Sequence, residues 1–163
     1  MDLKQFCELF NPLPGNHYLL VTDTIDDIAL RLQELMEAVD GELRIALYEE
    51  KPSALPPSLN AAKLQSIQNY AQPFRALPRD NDIVIFKDIQ NLHKNFEQLV
   101  KIAYTTLANT ADIVVMQKKG SMDVAATKEL LERREFRAPN AIEVLPDYDL
   151  VMAKKMHMWG AGL

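Results

Sequence analysis

Three polar clusters each close an apolar run: Thr22-Asp23-Thr24 after His17–Val21, Glu49-Glu50 after Leu43–Tyr48, and Lys87-Asp88 after Asn81–Phe86. If those runs are parallel strands, the clusters stand at the carboxyl ends, where open α/β sheets hold their ligands. Carboxylates and hydroxyls in that place can hydrogen-bond a polar ligand. Phosphate is a poor ligand for the first cluster. Asp23, Asp26 and Asp27 crowd negative charge where a helix start would otherwise attract an anion. Thr22-Asp23-Thr24 therefore reads either as a helix cap, the commoner use of such residues, or as a ligand loop. Neighbouring strand residues face opposite ways, so only one of Lys87 and Asp88 can aim at a cleft; an exposed surface pair is the plainer reading. His17, His93 and His157 fall in separate segments without metal-ligand spacing, so no metal site is expected. Cys7 is the sole cysteine, and no Gly-x-Ser-x-Gly elbow offers a hydrolase nucleophile.

The elements that would position these residues follow from hydrophobic period. His17–Val21 is a short run of the kind buried on both faces of a sheet. Ile25, Ile28, Ala29, Leu32, Leu35, Met36 and Val39 then recur at helical offsets, with Thr24 as the expected cap and Gly41 as a left-handed stop. Leu43–Tyr48 is a second strand. Ser58 to about Tyr70 reads as a weaker helix, and Pro73–Leu77 as a short third strand. Asn81–Phe86 is a clear strand. A helix marked by Phe96, Leu99, Val100, Ala103 and Leu107 runs to about Asn109, and Ala111–Met116 is a further strand. Another helix spans about Met122–Arg134. Two strands close the pattern, Ile142–Leu145 and Tyr148–Met156, joined at Pro146-Asp147 and so necessarily antiparallel.

Alternation of strand and helix through residue 134 demands a parallel sheet with helices on both faces. One domain covers 1–163, with an N-terminal extension over 1–16, the sheet and helices over 17–157, and a tail over 158–163. The 163 residues are 48% hydrophobic and 25% charged, which excludes disorder and fibrous classes. A net charge of −5 argues against a nucleic-acid partner. No stretch has the length of a membrane span, no secretory signal is recognisable at the start, and the lone cysteine suits a reducing compartment; the cytoplasm is the expected location. In the last strand and tail, Met152, Met156, Met158 and Trp159 concentrate apolar mass. That mass serves either the core or a homo-oligomer contact.

Three stretches carry a resemblance to a family. Leu77-Pro78-Arg79-Asp80-Asn81-Asp82-Ile83-Val84-Ile85, Leu130-Leu131-Glu132-Arg133-Arg134-Glu135-Phe136, and the closing Ile142 to Lys155 stretch with its Ala153-Lys154-Lys155 resemble, in order and spacing, class I S-adenosylmethionine-dependent methyltransferases. The resemblance spans residues 17 to 157. It implies a three-layer Rossmann-like fold, with a mostly parallel seven-stranded sheet in the order 3-2-1-4-5-7-6 and a C-terminal antiparallel hairpin. It also implies a cofactor laid across the carboxyl ends of the first, second and fourth strands. Thr22, Asp23 and Thr24 would then lie near the methionine part of S-adenosylmethionine, Glu49 (or Glu50) on the ribose, and Asp88 nearest the substrate as the candidate catalytic group.

Two of the family's three cofactor markers are missing. The Gly-x-Gly turn is replaced by Val21-Thr22-Asp23-Thr24-Ile25-Asp26-Asp27, and the acid that would bind the adenine amine is replaced by Gln72-Pro73-Phe74-Arg75. The chain has 5 glycines, and none falls in the first turn. Two functions stay open. One is a small methyltransferase with an atypical cofactor loop. The other, favoured by the missing glycines, is a methyltransferase-like domain with an eroded cofactor site, binding none and serving as an interaction or dimerisation module.

Overall fold

The computed structural model describes residues 2–49, 51 and 55–156. In chain order the elements are α1 (Lys4–Cys7), β1 (His17–Thr22), α2 (Asp27–Glu37), β2 (Glu42–Tyr48), a single 3-10 turn (Pro57–Leu59), β3 (Lys63–Ile67), β4 (Asn81–Lys87), α3 (Phe96–Thr106), β5 (Leu107–Lys118), α4 (Val124–Arg133), β6 (Phe136–Ala141) and β7 (Tyr148–Lys155). The strands form one sheet in the order β3-β2-β1-β4-β5-β7-β6. The first five of that order pair in parallel, while β7 runs antiparallel to both β5 and β6. The strand order and the closing antiparallel pair are those expected from the sequence.

The unbroken apolar runs are explained by burial on both faces. Leu19 and Val21 of β1 enter one hydrophobic cluster with Val84, Phe86 and the α3 residues Leu99 and Val100. Tyr18 and Leu20, pointing the other way, enter a second cluster with Ile83, Ile85 and the α2 residues Ile28 and Leu32.

Six local expectations are corrected. Residues 58–70 are not a helix: Leu64 and Ile67 sit three apart, but the segment pairs with β2 as the edge strand β3. Only Ile67 of that strand is buried, so its polarity concealed the period of two. Pro73–Leu77 is irregular, and the main chain of Arg75 is held instead by the Gln65 side-chain amide, which accepts at 2.7 Å and donates at 3.0 Å. The penultimate strand is Phe136–Ala141 rather than Ile142–Leu145, and α3 ends at Thr106, where β5 begins without a loop. Pro139 within β6 is tolerated because β6 is an edge strand.

The last two corrections concern the two ends of α2. Asp26, not Thr24, caps its start by accepting from the Ile28 N–H at 3.0 Å. Past its end, the left-handed residue is Asp40 (φ 53) rather than Gly41. Gly41 is needed for space, since a β-carbon there would meet the Asn16 carbonyl oxygen at 2.6 Å and the Met36 sulfur at 2.9 Å. Backbone cannot yield as a side-chain tip does. Gly41→Ala is therefore expected to cost about 1–3 kcal/mol in chemical denaturation, the range for forcing atoms into filled space.

In β7, Val151 and Ala153 are buried with one core and Leu150 with the other. Lys155 is also buried, and its ammonium donates to the carbonyls of Tyr104 and Leu107, each at 2.7 Å. Those carbonyls lie at the negative end of α3, which suits a cation. Desolvation lowers the Lys155 pKa. The β7 strand lies between β5 and β6, with Met152 half-buried and Met156 exposed just beyond it. The tail residues Met158 and Trp159, along with His157, lie outside the described residues.

Candidate functional site

The carboxyl ends of β1, β2 and β4 lie level with one another, because Thr22 is registered with Leu47 on one side and Lys87 on the other. Lys87 follows Ile83 and Ile85 in pointing to the α2 face. Its side chain is fully buried, and the ammonium reaches Asp26 Oδ2 at 3.1 Å, Thr24 Oγ1 at 3.2 Å and Asp88 Oδ2 at 3.6 Å. Burying a lone ammonium costs several kcal/mol, and two carboxylates with a hydroxyl are what offset it. Asp26 does two jobs: one oxygen caps α2 and the other takes the ammonium. The loop after β1 is thereby tied to the end of β4.

Asp88 is 9% exposed and sits in left-handed backbone (φ 58). That conformation, tolerated by Asp better than by most residues, turns the chain at the strand end. Its Oδ2 accepts from the Tyr148 hydroxyl at 3.1 Å, and its Oδ1 accepts from the Lys118 N–H at 3.2 Å. The buried Tyr148 has its pKa raised, by desolvation first and by the Asp88 charge next. Burial also pushes the Asp23 carboxyl above its ordinary value, with Asp88 adding to the rise and Lys87 opposing it.

On the other face, Tyr48 ends β2 with its hydroxyl donated to the Gln72 carbonyl at 2.6 Å. His93 stands edge-on to the Tyr48 ring, with ring centroids 5.4 Å apart. Its Nδ1 accepts from the Asn95 N–H at 2.9 Å, so Nε2 carries the proton and donates to the same Gln72 carbonyl at 3.0 Å. Phe74 is 2% exposed and begins a stack of rings through Phe86 to Phe96. Segment 72–74 is thus held inward by two hydrogen bonds and a phenyl ring.

Of the residues the sequence singles out, Thr22, Asp23, Thr24 and Asp88 are gathered around Lys87. Thr22 is buried, with its hydroxyl 3.1 Å from the Thr24 carbonyl. Glu49 stands at the end of β2, its main-chain N–H on the Ile67 carbonyl at 3.0 Å; Glu50 lies outside the described residues. Lys87-Asp88 is not the exposed surface pair expected from the sequence. The left-handed turn at Asp88 lets neighbouring residues meet, and Asp26 and Tyr148 close around them. Sequence reasoning missed Tyr48, His93 and Tyr148. For Lys87 there was a signal: a lysine directly after Ile83-Val84-Ile85-Phe86 continues a buried strand. His17 is remote, at the amino end of β1, with Nδ1 on the Asp80 carbonyl at 2.8 Å. No described helix is long and apolar enough to cross a membrane.

No protein-family model matches the chain, and no curated protein does. Solved structures do. An S-adenosylmethionine-dependent methyltransferase from Mesorhizobium loti superposes with a TM-score of 0.69 at 11% identity, over 90% of this chain and 94% of that one. One from Aquifex aeolicus gives 0.67 at 12%, over 95% and 90%. The citrinin polyketide synthase CMeT domain gives 0.65 at 12%, over 88% of this chain and 47% of that one. The chain thus spans about half the length of that domain, and about half (52%) of a Haemonchus contortus phosphoethanolamine N-methyltransferase. The fold is the class I methyltransferase-like Rossmann fold.

Proposed function

We propose that this chain is a methyltransferase-fold domain in which its own side chains have taken the cofactor's place, so that it works as a binding module rather than as a methyl-transfer enzyme. The observation that carries the reading is the buried Lys87 ammonium. It crosses from the end of β4 to Thr24 and Asp26 in the loop after β1, the loop that would cradle the methionine part of S-adenosylmethionine. A cationic ligand would have to break that contact and find another carboxylate. At the adenine side, the segment that would supply an acid instead turns Phe74 into the core and gives the Gln72 carbonyl to Tyr48 and His93. On this reading the residues do not fit S-adenosylmethionine, and no methyl-transfer step runs through them. Thr22, Asp23, Thr24 and Asp88 then hold the loop and strand ends together. The two separate cores, one on each face of the sheet, support the three-layer form of the fold.

A second reading, a small S-adenosylmethionine-dependent methyltransferase with an atypical loop, is supported by Glu49, an acid at the end of β2 where a ribose-binding residue would stand. Calorimetric titration of the full chain separates the two. With S-adenosylmethionine or S-adenosylhomocysteine, no heat of binding is expected up to about 1 mM, an affinity corresponding to only about 4 kcal/mol. Saturable binding below that concentration overturns the module reading in favour of the enzyme.

A further inference from the structure

At the opposite, amino-terminal end of the sheet, two hollows meet across Arg75 and Ala76. One, of about 280 Å³, is floored by Leu19 and Arg44 and walled by Lys63, Gln65 and Leu77. The other, of about 520 Å³, opens between Phe74–Ala76 and the α3 residues Lys101 and Ile102. Lys63, Arg75 and Lys101 are exposed, and no described carboxylate pairs with them. The acid lining the first hollow, Asp80, is already held by Arg44 at 2.5 Å and faced by His17 at 3.5 Å. In a chain of net charge −5, this face is locally inverted to positive. Leu77 lines the first hollow and is 68% exposed.

The sheet edge beside the hollows is also unpartnered. Among the described strands none pairs with the outer side of β3, whose Lys63 and Gln65 line the first hollow. The opposite edge, β6, is blunted by Pro139 and by a register break between Arg137 and Asn140. β3 carries neither device.

We propose that this face docks an extended acidic segment of a partner protein. Its carboxylates meet Lys63, Arg75 and Lys101, its apolar side chain covers Leu77, and its main chain can pair with β3 as an added strand. The two hollows adjoin and open to solvent, which suits a polypeptide longer than a compact small molecule. The net negative charge of the rest of the chain opposes a long polyanion such as nucleic acid. This inference concerns the end of the sheet opposite the Lys87 cluster and stands whether or not a cofactor binds there.

The test is fluorescence anisotropy with a labelled synthetic peptide of about twelve residues alternating glutamate and leucine, a lysine–leucine peptide serving as control. The acidic peptide is expected to bind, with affinity falling as salt is raised from about 50 to 500 mM and falling about tenfold or more in the Lys63→Glu, Arg75→Glu double variant. Both sites are exposed, so the variant's circular dichroism and unfolding midpoint are expected to match the parent's. The proposal is overturned by absence of binding at about 1 mM peptide, by equal affinity in parent and variant, by tighter binding of an oligothymidylate, or by a self-association of the chain that Arg75→Glu abolishes.

Discussion

Lys87→Ala is expected to lower the unfolding free energy at neutral pH by about 2–4 kcal/mol, somewhat under the usual cost of breaking a buried pair, because Asp26 keeps some contact with water. At about 2–4 °C per kcal/mol for a chain of this size, the thermal midpoint falls by roughly 5–15 °C. The loss arises from what remains. Asp26 and Asp88 lose their shared cation, and Asp23, already pushed up by burial, loses the charge that opposed the rise. The pH dependence has a definite sign. Burial already holds the Asp23 carboxyl above its ordinary value, and without Lys87 it rises further. The variant therefore keeps its stability below the unfolded carboxylate pKa and loses it as pH rises through the folded one. The gap between parent and variant, measured by urea unfolding, is expected to narrow from pH 7 toward pH 4. Lys87→Met, which restores bulk without charge, is expected to show the same pH trend; a gap independent of pH would make the lysine a packing residue only. If Asp26→Asn and Lys87→Met add without coupling, the contact between them is not what holds the loop.

Phe74→Ala is the other large effect, with an expected loss of about 3–5 kcal/mol from removing a buried ring. Phe74 anchors a segment with no helix or strand of its own, packing on Phe86, which packs in turn on Phe96. Its loss should also loosen the Gln72 carbonyl from Tyr48 and His93. The His93 ring signals report this by NMR: they are expected to shift and broaden in Phe74→Ala and to keep their positions in Arg75→Glu, one residue away but exposed. Unchanged His93 signals in Phe74→Ala would show that the two hydrogen bonds hold the segment without the ring.

The central strands were legible because they are buried on both faces, and burial leaves unbroken apolar runs at Tyr18–Val21, Ile83–Phe86 and Ile113–Met116. The helices over Asp27–Glu37 and Phe96–Thr106 were legible from period. β3 was not, since an edge strand with one buried residue has almost no pattern to read. Gly41 was assigned to the right place for the wrong reason. Its constraint comes from the Asn16 carbonyl of a different segment, which no helix-stop rule contains.

At the candidate site, sequence alone determined which groups stand at the strand ends and that no glycine lies in the turn after β1, because side-chain identity and strand polarity are local properties. Only the tertiary structure decided what those groups do. Asp26 comes from the loop after β1, Lys87 from the end of β4 and Tyr148 from the start of β7. Whether Lys87 points into water or lies buried depends on all of them arriving together. A lysine followed by an aspartate reads as a solvated pair, because water is the cheapest partner for an isolated charge. Once the sheet brings a second carboxylate and a hydroxyl within reach, the ammonium can be buried, and the same two residues tie the strand ends to the loop after β1.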